Sequence, residues 1–375
     1  MKVLFIAPLP DPVTGQSLAC RVFLDELEKH HRVDVININK HSLKSGVMGG
    51  TLSRAGAVLG FAWQTWRRAR QADLIYFTIS ESIAGNLKDL LIYAVCAGRL
   101  QRMAIHLHGG AGMKVLMGNR SLLAALNRMF WRRLGAVILL GERHLSLLAG
   151  LPQAWRQSHV HLVPNFAQDY LFRDAAEIDA KFAKPAPLRL LYLSNLIPGK
   201  GHDELLAAYQ SLSPAEQAQI QLDFAGAFES ETARSDFLAR AGTMPQIRYH
   251  GVVGGADKAH LLAEAHVFCL PTYYPYEGQP ISILEAYASG CAVITTDHSG
   301  IFDIFTPGEC GLAVKPRSAE SIAAALRQCL ADRAPLLTQA RQNRRLADEH
   351  YRVATYNRRL LSVLAAMSAT PESQE

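Results

Sequence analysis

The stretch that decides the fold runs from Glu277 to Glu285 and reads Glu-Gly-Gln-Pro-Ile-Ser-Ile-Leu-Glu. A short apolar run precedes it, and apolar residues at helical spacing follow it. Because Gly278 permits unusual backbone angles and Pro280 suits the first turn of a helix, the stretch predicts a strand that turns into a helix. The free backbone N–H groups of that first turn, together with the helix dipole, predict a site for an anion.

The same alternation of strands and helices fills the rest of the 375 residues. It predicts an α/β fold with parallel sheets. Strands are predicted at 3–7, 33–38, 74–78, 103–108, 136–140 and 159–163 in the first half, and at 188–193, 221–225, 247–251, 266–270, 292–295 and 312–314 in the second. A chain of this length favours two domains, here two doubly wound halves that face each other across a cleft.

Composition and a polar, Pro-rich change near the middle of the chain predict the domain boundaries. We expect a first domain over residues 1–167, a linker over 168–187 and a second domain over 188–350. A last helix within 351–375 follows a completed domain, and we expect it to pack back on the first domain.

Bulk composition describes an ordinary globular protein, with 49% hydrophobic and 19% charged residues. The six cysteines are scattered, which predicts neither a disulfide framework nor a zinc site. No apolar run reaches the ~18 residues that a membrane-spanning helix needs. These features predict a cytoplasmic location.

Charge is distributed unequally along the chain. Residues 1–167 contain 20 Lys and Arg against 9 Asp and Glu, whereas the remainder contains 19 basic and 24 acidic residues. A strongly basic first half indicates an anionic partner, which could be a membrane surface, a nucleic acid or a phosphorylated substrate.

The pattern E-G-x-P-x-x-x-L-E-A-x-A-x-G over residues 277–290 contains a Glu-x7-Glu pair. This pattern resembles the donor-site signature of the retaining glycosyltransferases of family 4, which have the GT-B fold of two Rossmann-like domains. The resemblance implies transfer of a sugar from a nucleotide-diphosphate sugar to a glycan or lipid-linked acceptor, as in bacterial polysaccharide or glycolipid biosynthesis. It also implies that neither a metal nor a cofactor is needed.

The resemblance assigns roles to the residues of this stretch. Glu277 is expected to bind hydroxyls of the transferred sugar, and Glu285 to bind the ribose hydroxyls. The residues between them, at the turn and the helix start, are expected to lie beside the donor phosphates: Gly278, Gln279, Pro280 and Ile281.

A second segment, Leu193-Ser194-Asn195-Leu196-Ile197-Pro198-Gly199-Lys200-Gly201, resembles the family's loop with a basic pair that neutralises the diphosphate. Lys200 occupies the lysine position. Asn195 stands where many members have arginine, so one fixed cation is expected instead of two. The amide of Asn195 or backbone N–H groups would then help Lys200 to stabilise the diphosphate. Otherwise activity would be low or absent.

Further donor contacts are expected at other strand ends. Gly15, in the loop over residues 10–17, resembles the family's glycine loop, although it could merely form a turn. His108 fits the family's histidine that faces the transferred sugar; a lone buried histidine remains the alternative, and a zinc site with His106 is disfavoured because no third ligand is near in sequence. Topology adds Gly226, Gly251 and Val252 beside the nucleotide.

Two basic and aromatic patches favour a membrane partner over a nucleic acid. They comprise Trp63, Trp66, Arg67 and Arg68, and Arg128, Trp131, Arg132 and Arg133. Arginine near an anionic leaflet gains roughly 1 kcal/mol per residue, and Trp favours the interface. Together with the basic first half, the patches predict peripheral contact at the inner face of the cytoplasmic membrane and an acceptor on a polyprenyl diphosphate. The alternative is core aromatics flanked by solvated arginines.

Three alternatives belong to other functional classes. A GT-B-like epimerase or phosphorylase has no need of the basic first half. A catalytically weak or inactive member that binds a nucleotide sugar within an assembly complex stays open because of Asn195. A Rossmann oxidoreductase is disfavoured because no G-x-G-x-x-G follows the first strand.

Overall fold

The computed structural model describes residues 1–38, 51–118, 121–184, 187–242 and 244–369. The chain divides into two compact units. One unit is formed by Met1–Pro164 together with the last helix, and the other by Asn165–Val353.

The first unit contains a parallel sheet of six strands in the described residues. They are β1 (Lys2–Ala7), β2 (Arg32–Asn37), β3 (Leu74–Thr78), β4 (Met103–His106), β5 (Ala136–Leu139) and β6 (Val160–Leu162), in the spatial order β2-β1-β3-β4-β5-β6. The central strands are almost wholly buried, as expected for a parallel sheet that is covered by helices on both faces.

Helices connect the strands of the first unit. They are α1 (Gly15–His30), α2 (Thr51–Ala69), α3 (Ile83–Val95), α4 (Ala111–Gly118), α5 (Leu122–Trp131) and α6 (Gln153–His159). Helix α1 begins at a capping box in which the Thr14 side chain accepts from the Ser17 N–H and the Ser17 hydroxyl accepts from the Thr14 N–H. The start of this helix is thereby fixed at Gly15, directly after the loop that follows β1.

The second unit repeats this architecture with a second six-stranded parallel sheet in the described residues. Its strands are β7 (Leu188–Leu193), β8 (Ile220–Ala225), β9 (Ile247–Tyr249), β10 (Val267–Leu270), β11 (Ala292–Thr296) and β12 (Gly311–Val314), in the spatial order β12-β11-β10-β7-β8-β9. Strands β7 and β10 are neighbours, so the loops that follow them meet at the carboxyl edge of the sheet.

Eight helices accompany these strands in the described part of the second unit. They are α7 (Ala175–Ala183), α8 (His202–Gln210), α9 (Pro214–Gln217), α10 (Glu231–Ala241), α11 (Gly255–Glu264), α12 (Ile281–Ala288), α13 (Ala319–Ala331) and α14 (Ala334–His350). Buried apolar side chains of α12 and of the strands form one continuous core.

The stretch predicted as a linker, 168–187, instead contains helix α7, and residues from 165 onward belong to the second unit. Asp174 caps α7 in a capping box with Glu177, a signal that the sequence contains and that the polar composition obscured. Lys181 is buried and donates to the carbonyls of Ser289 and Gly290 at 2.9 and 2.7 Å. Its ammonium therefore satisfies the carbonyl end of α12. Residues 185 and 186 lie outside the described residues.

The last helix, α15 (Val353–Ala369), belongs to the first unit from Ala354 onward. Its Met367 methyl group lies where a side chain on Gly135 would have to go, 2.7 Å from the position of a β-carbon there. Tyr356 and Leu360 of this helix are fully buried. Residues 370–375 lie outside the described residues.

The predicted α/β fold class is confirmed, and each predicted strand is present with its ends shifted by at most a few residues. The largest shifts are two residues, in β4, which was expected to reach His108 and ends at His106, and in β9, which was expected to reach Gly251 and ends at Tyr249. His108 therefore lies in the loop after β4.

Candidate functional site

Two loops at the carboxyl edge of the second sheet fit closely together. The loop after β7 contains Gly199 and Gly201, both with φ in the left-handed region, at +90° and +84°. A β-carbon on Gly201 would lie 2.4 Å from the Pro271 carbonyl oxygen in the loop after β10. The Tyr273 N–H donates to the Gly199 carbonyl at 2.7 Å. Glycine is therefore required here, and the two loops form one surface.

Lys200 and Glu277 form an ion pair on this surface. The distance between Lys200 Nζ and Glu277 Oε2 is 2.7 Å, and the side chains are only 14% and 9% exposed. The Thr272 hydroxyl donates to the same carboxylate oxygen at 3.0 Å. The ammonium also lies 4.9 Å from the centre of the Tyr274 ring, within cation–π range. The charges are thus fixed by contacts from both loops.

Asn195 lies at the start of the same loop as Lys200 and is exposed. Its backbone carbonyl accepts a hydrogen bond from the Tyr192 hydroxyl at 3.2 Å, and that hydroxyl also donates to the Lys200 carbonyl at 3.4 Å. Tyr192 is buried beneath the loop. This hydroxyl therefore holds both ends of the segment that contains the asparagine and the lysine.

The start of helix α12 lies between the two glutamates of the motif. Pro280 is the residue directly before the helix, whereas the sequence predicted it within the first turn. The backbone N–H groups of Ile281 and Ser282 lie in the first turn, where helices leave such donors without partners in the helix. The Gln279 side chain accepts from the Asn165 N–H, and the Asn165 amide donates to the Gln279 carbonyl, both at 2.7 Å. Asn165 thus holds the loop in shape.

Glu285 lies further along helix α12, about one turn after Ile281, and is buried. Lys258 of α11 donates to Glu285 Oε1 at 2.6 Å and to Gln168 Oε1 at 2.8 Å. Burial raises the pKa of the Glu285 carboxyl above its ordinary value, and Lys258 opposes this by stabilising the charged form. The carboxylate therefore depends on one lysine for its counter-charge.

The ends of β8 and β9 bring Gly226 and Gly251 together. The Gly226 N–H donates to the Gly251 carbonyl at 2.7 Å. A β-carbon on Gly226, whose φ is +145°, would lie 1.9 Å from the Ser194 carbonyl oxygen. Val252 is 77% exposed beside them. A cavity of about 300 Å³ adjoins this edge, with Asp223, His250, Val252, Val253, Asp257 and His260 among its lining residues.

In the first unit, His108 follows β4 and is uncharged. Both of its ring nitrogens are buried without a hydrogen-bond partner among the described residues. Burial lowers the pKa of the imidazole to about 3. Its ring centre lies 3.9 Å from that of His106, whose Nδ1 is 2.6 Å from the Tyr76 hydroxyl. Gly15, the first residue of α1, is exposed directly after the loop that follows β1.

The second predicted membrane patch is corrected by the structure. Trp131 is fully buried in the core of the first unit, because its side chain faces the sheet from the end of α5. Arg128, Arg132 and Arg133 donate to the backbone carbonyls of Met117, Gly150 and Ala97. These arginines therefore flank a core aromatic, which is the alternative left open by the sequence.

The first predicted patch is exposed. Trp63 and Trp66 of α2 are 57% and 41% exposed, and Arg67 and Arg70 lie over their rings. Arg68 differs, since it pairs with Asp34 at 2.9 Å. Helix α2 and the helices that follow it expose further large apolar side chains: Val58 and Leu59 on α2, Ile83 and Leu87 on α3, Val115 on α4, and Leu122 and Met129 on α5. Among the described residues no helix is long and apolar enough to cross a membrane.

Sequence reasoning therefore predicted the glutamates, the lysine and the glycines of the second unit, and the structure brings these together at one edge. It missed Thr272 and Tyr274, which contact Glu277 and Lys200, and Lys258, which pairs with Glu285. Thr272 lies two residues after the end of a predicted strand, at the edge where ligands bind, and this position was a signal in the sequence. No signal in the sequence pointed to Lys258, because only the fold brings α11 beside α12.

Comparison with known proteins finds a family model that matches most of the second unit. Residues 174–347 match the family model described as glycosyl transferases group 1. The O-antigen chain mannosyltransferase B of Escherichia coli is 30% identical over 170 residues, which cover 44% of each chain. The chain thus matches less than half the length of this curated relative.

Solved structures resemble the whole chain. Sucrose-phosphate synthase from Thermosynechococcus elongatus superposes with a TM-score of 0.73 at 18% identity, covering 98% of this chain and 99% of that one. HepE of Anabaena, solved with UDP-glucose, superposes with a TM-score of 0.70 at 17% identity, covering 98% and 100%. At these identities the likeness shows the fold alone, and it confirms the predicted GT-B architecture of two α/β sheets.

Among the described residues no group of three or more His, Cys, Asp or Glu is arranged to hold a metal ion. The prediction that the reaction needs no metal remains open to experiment, as does the role of each predicted site residue.

Proposed function

We propose that the chain, whose residues 174–347 match the family model of the group 1 glycosyl transferases, transfers a sugar, with retention of configuration, from a nucleotide-diphosphate sugar to a glycan or lipid-linked acceptor. The observation that supports this most is the Lys200–Glu277 pair at the carboxyl edge of the second sheet, beside the start of helix α12. Ligands of open α/β sheets bind at this edge. Cell-surface polysaccharide biosynthesis is the setting in which we place it.

Lys200 stabilises the departing diphosphate in this proposal. When the bond between the sugar C1 and the β-phosphate oxygen breaks, negative charge grows on the diphosphate. The ammonium of Lys200 and the first-turn N–H groups of α12 are fixed before the reaction, so they stabilise this charge without reorganising. The acceptor oxygen bonds to C1 on the same face, and its proton passes to the departing phosphate oxygen.

Glu277 binds hydroxyls of the transferred sugar, and Glu285 binds those of the ribose. Both side chains are almost completely buried, which suits them to accept hydrogen bonds from a ligand that excludes water. Gly226, Gly251 and Val252 provide backbone and a small apolar surface for the nucleotide. Gly278 to Ile281 line the phosphates.

His108 and Gly15 of the first unit are assigned to the transferred sugar and the donor phosphates. An imidazole with a pKa of about 3 stays neutral at physiological pH, so it can both donate and accept a hydrogen bond. It would then orient a sugar hydroxyl rather than transfer a proton. The reaction as written needs no metal or cofactor, and addition of EDTA should leave the rate unchanged.

The exposed α2 surface, with Trp63, Trp66, Arg67 and Arg70, is proposed to contact an anionic membrane surface. Residues 51–135 contain twelve Lys and Arg against three Asp and Glu, which gives the surroundings a positive charge. Exposed tryptophan beside arginine suits the interface between lipid headgroups and acyl chains. A location at the inner face of the cytoplasmic membrane and a polyprenyl-diphosphate acceptor would follow.

Transfer is tested with the purified chain, a panel of nucleotide sugars and lipid-linked acceptors. The proposal expects one donor to be consumed with formation of a glycosylated lipid, and NMR of the new linkage to show the anomeric configuration of the donor. Thermal stabilisation by the panel identifies the donor first, because a bound ligand raises stability by mass action. Inversion of the anomer would overturn the retaining mechanism.

Membrane contact is tested by sedimentation with vesicles of phosphatidylcholine, with and without anionic phosphatidylglycerol. W63A/W66A should weaken binding to the anionic vesicles about tenfold, since each Trp contributes interfacial contact and supports a neighbouring arginine. L145A, at another exposed apolar position of the first unit, is the control. Unchanged binding by W63A/W66A would place the contact elsewhere.

A second candidate function is supported by Asn195, which leaves Lys200 as the fixed cation of its loop and pairs that cation with Glu277. A chain that binds a nucleotide sugar but transfers it slowly or not at all, within an assembly complex, would show donor stabilisation without turnover. An N195R variant that gains transfer activity would favour this candidate.

A further inference from the structure

We propose that Lys258 is a positioning residue for the nucleotide ribose, holding the Glu285 carboxylate in the orientation in which it accepts the ribose hydroxyls. The inference rests on the proposed function, because it requires Glu285 to bind a nucleotide. It adds a residue from α11, a helix in which the sequence predicted no site residue.

The contact between Lys258 and Glu285 is close and shielded from water. The distance from Nζ to Oε1 is 2.6 Å, and the side chains are 12% and 4% exposed. A charge-assisted hydrogen bond at this distance fixes the direction of the carboxylate group as well as its charge. The orientation of Glu285 is therefore set before any ligand arrives.

The ammonium itself is held from a third element. Gln168, in the segment before α7, accepts a hydrogen bond from Lys258 Nζ at 2.8 Å. The ring of Tyr170 lies under the same ammonium at 5.7 Å. Because a lysine side chain has several rotatable bonds, these contacts matter: they restrict it to the conformation that reaches Glu285.

Glu285 also needs a cation in order to stay charged. Its carboxyl is fully buried, and burial raises its pKa, with Lys258 acting in the opposite direction. A protonated carboxyl would present one hydroxyl donor in place of an acceptor. Removal of the lysine would thus weaken acceptance from two ribose hydroxyls by changing both the charge and the orientation of Glu285.

A purely structural ion pair would have a different signature. It would contribute to stability, and its loss would weaken all ligands alike through local disorder. A positioning residue changes how the site distinguishes a ribose from a 2′-deoxyribose, because only the former offers both hydroxyls. The ratio of the two dissociation constants therefore separates the two roles.

The experiment measures dissociation constants of UDP, GDP and their 2′-deoxy counterparts for the full chain. Wild type should prefer the ribonucleotide of its own base about tenfold, the value expected for one hydrogen bond to a charged group. E285Q and K258M should each reduce this preference to about twofold, and K258R should restore most of it. K184M, which removes another lysine–glutamate pair of the same unit, is the matched control.

K258M leaves a buried carboxylate without its cation, so a second comparison adds the double variant E285Q/K258M, in which neither charge of the pair is left alone. E285Q and E285Q/K258M should show the same ribose preference, since Lys258 acts only through Glu285. A further loss in the double variant, or an undiminished preference in K258M, would overturn the inference alone. Wild type that binds neither nucleotide would overturn it together with the proposed function.

Discussion

The carboxyl edges of the two sheets are built from different chemistry. In the second unit the charged side chains of the site are paired: Lys200 with Glu277, and Lys258 with Glu285. In the first unit the corresponding edge presents His106 and His108, two neutral imidazoles whose rings lie 3.9 Å apart. The second edge is thus built on two balanced ion pairs, whereas the two imidazoles at the end of β4 and in the loop after it are polar groups without charge.

This difference indicates a division of tasks. A ligand with a diphosphate exchanges partners with paired charges, so the second edge suits the donor. A neutral imidazole suits a sugar hydroxyl, since it adds a hydrogen bond without adding charge. The exposed apolar residues of α2 to α5 belong to the first unit as well, where a lipid-linked acceptor would be favoured.

The largest expected effect tests the charged edge. K200A should lower kcat about a hundredfold or more, because the fixed cation acts where negative charge develops. Steady-state kinetics with the identified donor measure this. K315A, which removes an exposed lysine after β12, should leave kcat unchanged. A K200A variant with the wild-type rate would contradict the assignment of Lys200 to the departing diphosphate, and with it the contrast between the two edges.

The next effect tests whether a buried, uncharged histidine of the first unit lowers the stability of that unit at low pH. Burial lowers the pKa of His144 in the first unit to about 4, so the unfolded chain binds a proton near neutrality that the folded chain does not. Stability is therefore complete above the unfolded pKa of about 6.5 and falls as the pH decreases below it, by about 2 kcal/mol between pH 7 and pH 5 for this one group.

H144Q should remove that share of the pH dependence, measured by chemical denaturation at the two pH values. H266Q is the matched change in the second unit, where burial lowers the pKa of His266 to about 4 as well. Hydrogen exchange of β4 and β10 peptides reports each unit separately. An H144Q variant with the pH dependence of wild type would show that His144 is protonated in the folded state.

A smaller effect concerns His108 itself. H108A should lower kcat about tenfold, the value of one hydrogen bond to the transferred sugar. With a pKa of about 3, His108 should not titrate above pH 5, so wild type and H108N should share one pH profile of kcat/KM. Nitrogen chemical shifts of the labelled imidazole check this directly. An inflection near pH 6.5 that H108N abolishes would assign it proton transfer instead.

The smallest expected effect tests whether Thr272 orients Glu277 at the edge of the second sheet. T272V should raise the KM for the donor about threefold with little change in kcat, because Thr272 helps to orient Glu277 by one hydrogen bond of 3.0 Å, while Lys200 still holds the same carboxylate oxygen. T295V, whose hydroxyl bonds the Leu270 carbonyl within the sheet, is the control.

The sequence was sufficient for the fold because strand spacing and burial follow local composition. All twelve predicted runs form strands; central ones such as Leu188–Leu193 are largely buried, whereas an edge strand such as β9 is partly exposed. Helix α7 was missed because its polar flank masked a capping signal. The Trp131 patch was wrong because helical spacing shows which residues share a face, but not whether that face is turned toward the core.

The same limit explains the site. Glu277, Glu285 and Lys200 occupy strand-to-helix turns with a recognisable spacing, so the sequence predicts them. Their partners Thr272, Tyr274 and Lys258 come from elements that only the folded sheet brings near. A pairwise contact between α11 and α12 has no local signal, because the two helices are separated by a strand and a loop.

The Lys200–Glu277 pair also has a consequence for small-molecule ligands of this chain. An anionic compound that takes the ammonium alone leaves Glu277 nearly buried without its counter-charge, which is costly. A zwitterionic compound whose opposite charges are spaced to match the pair would replace both partners at once. Inhibitor design for this site should therefore begin from molecules that carry both charges, rather than from phosphate mimics.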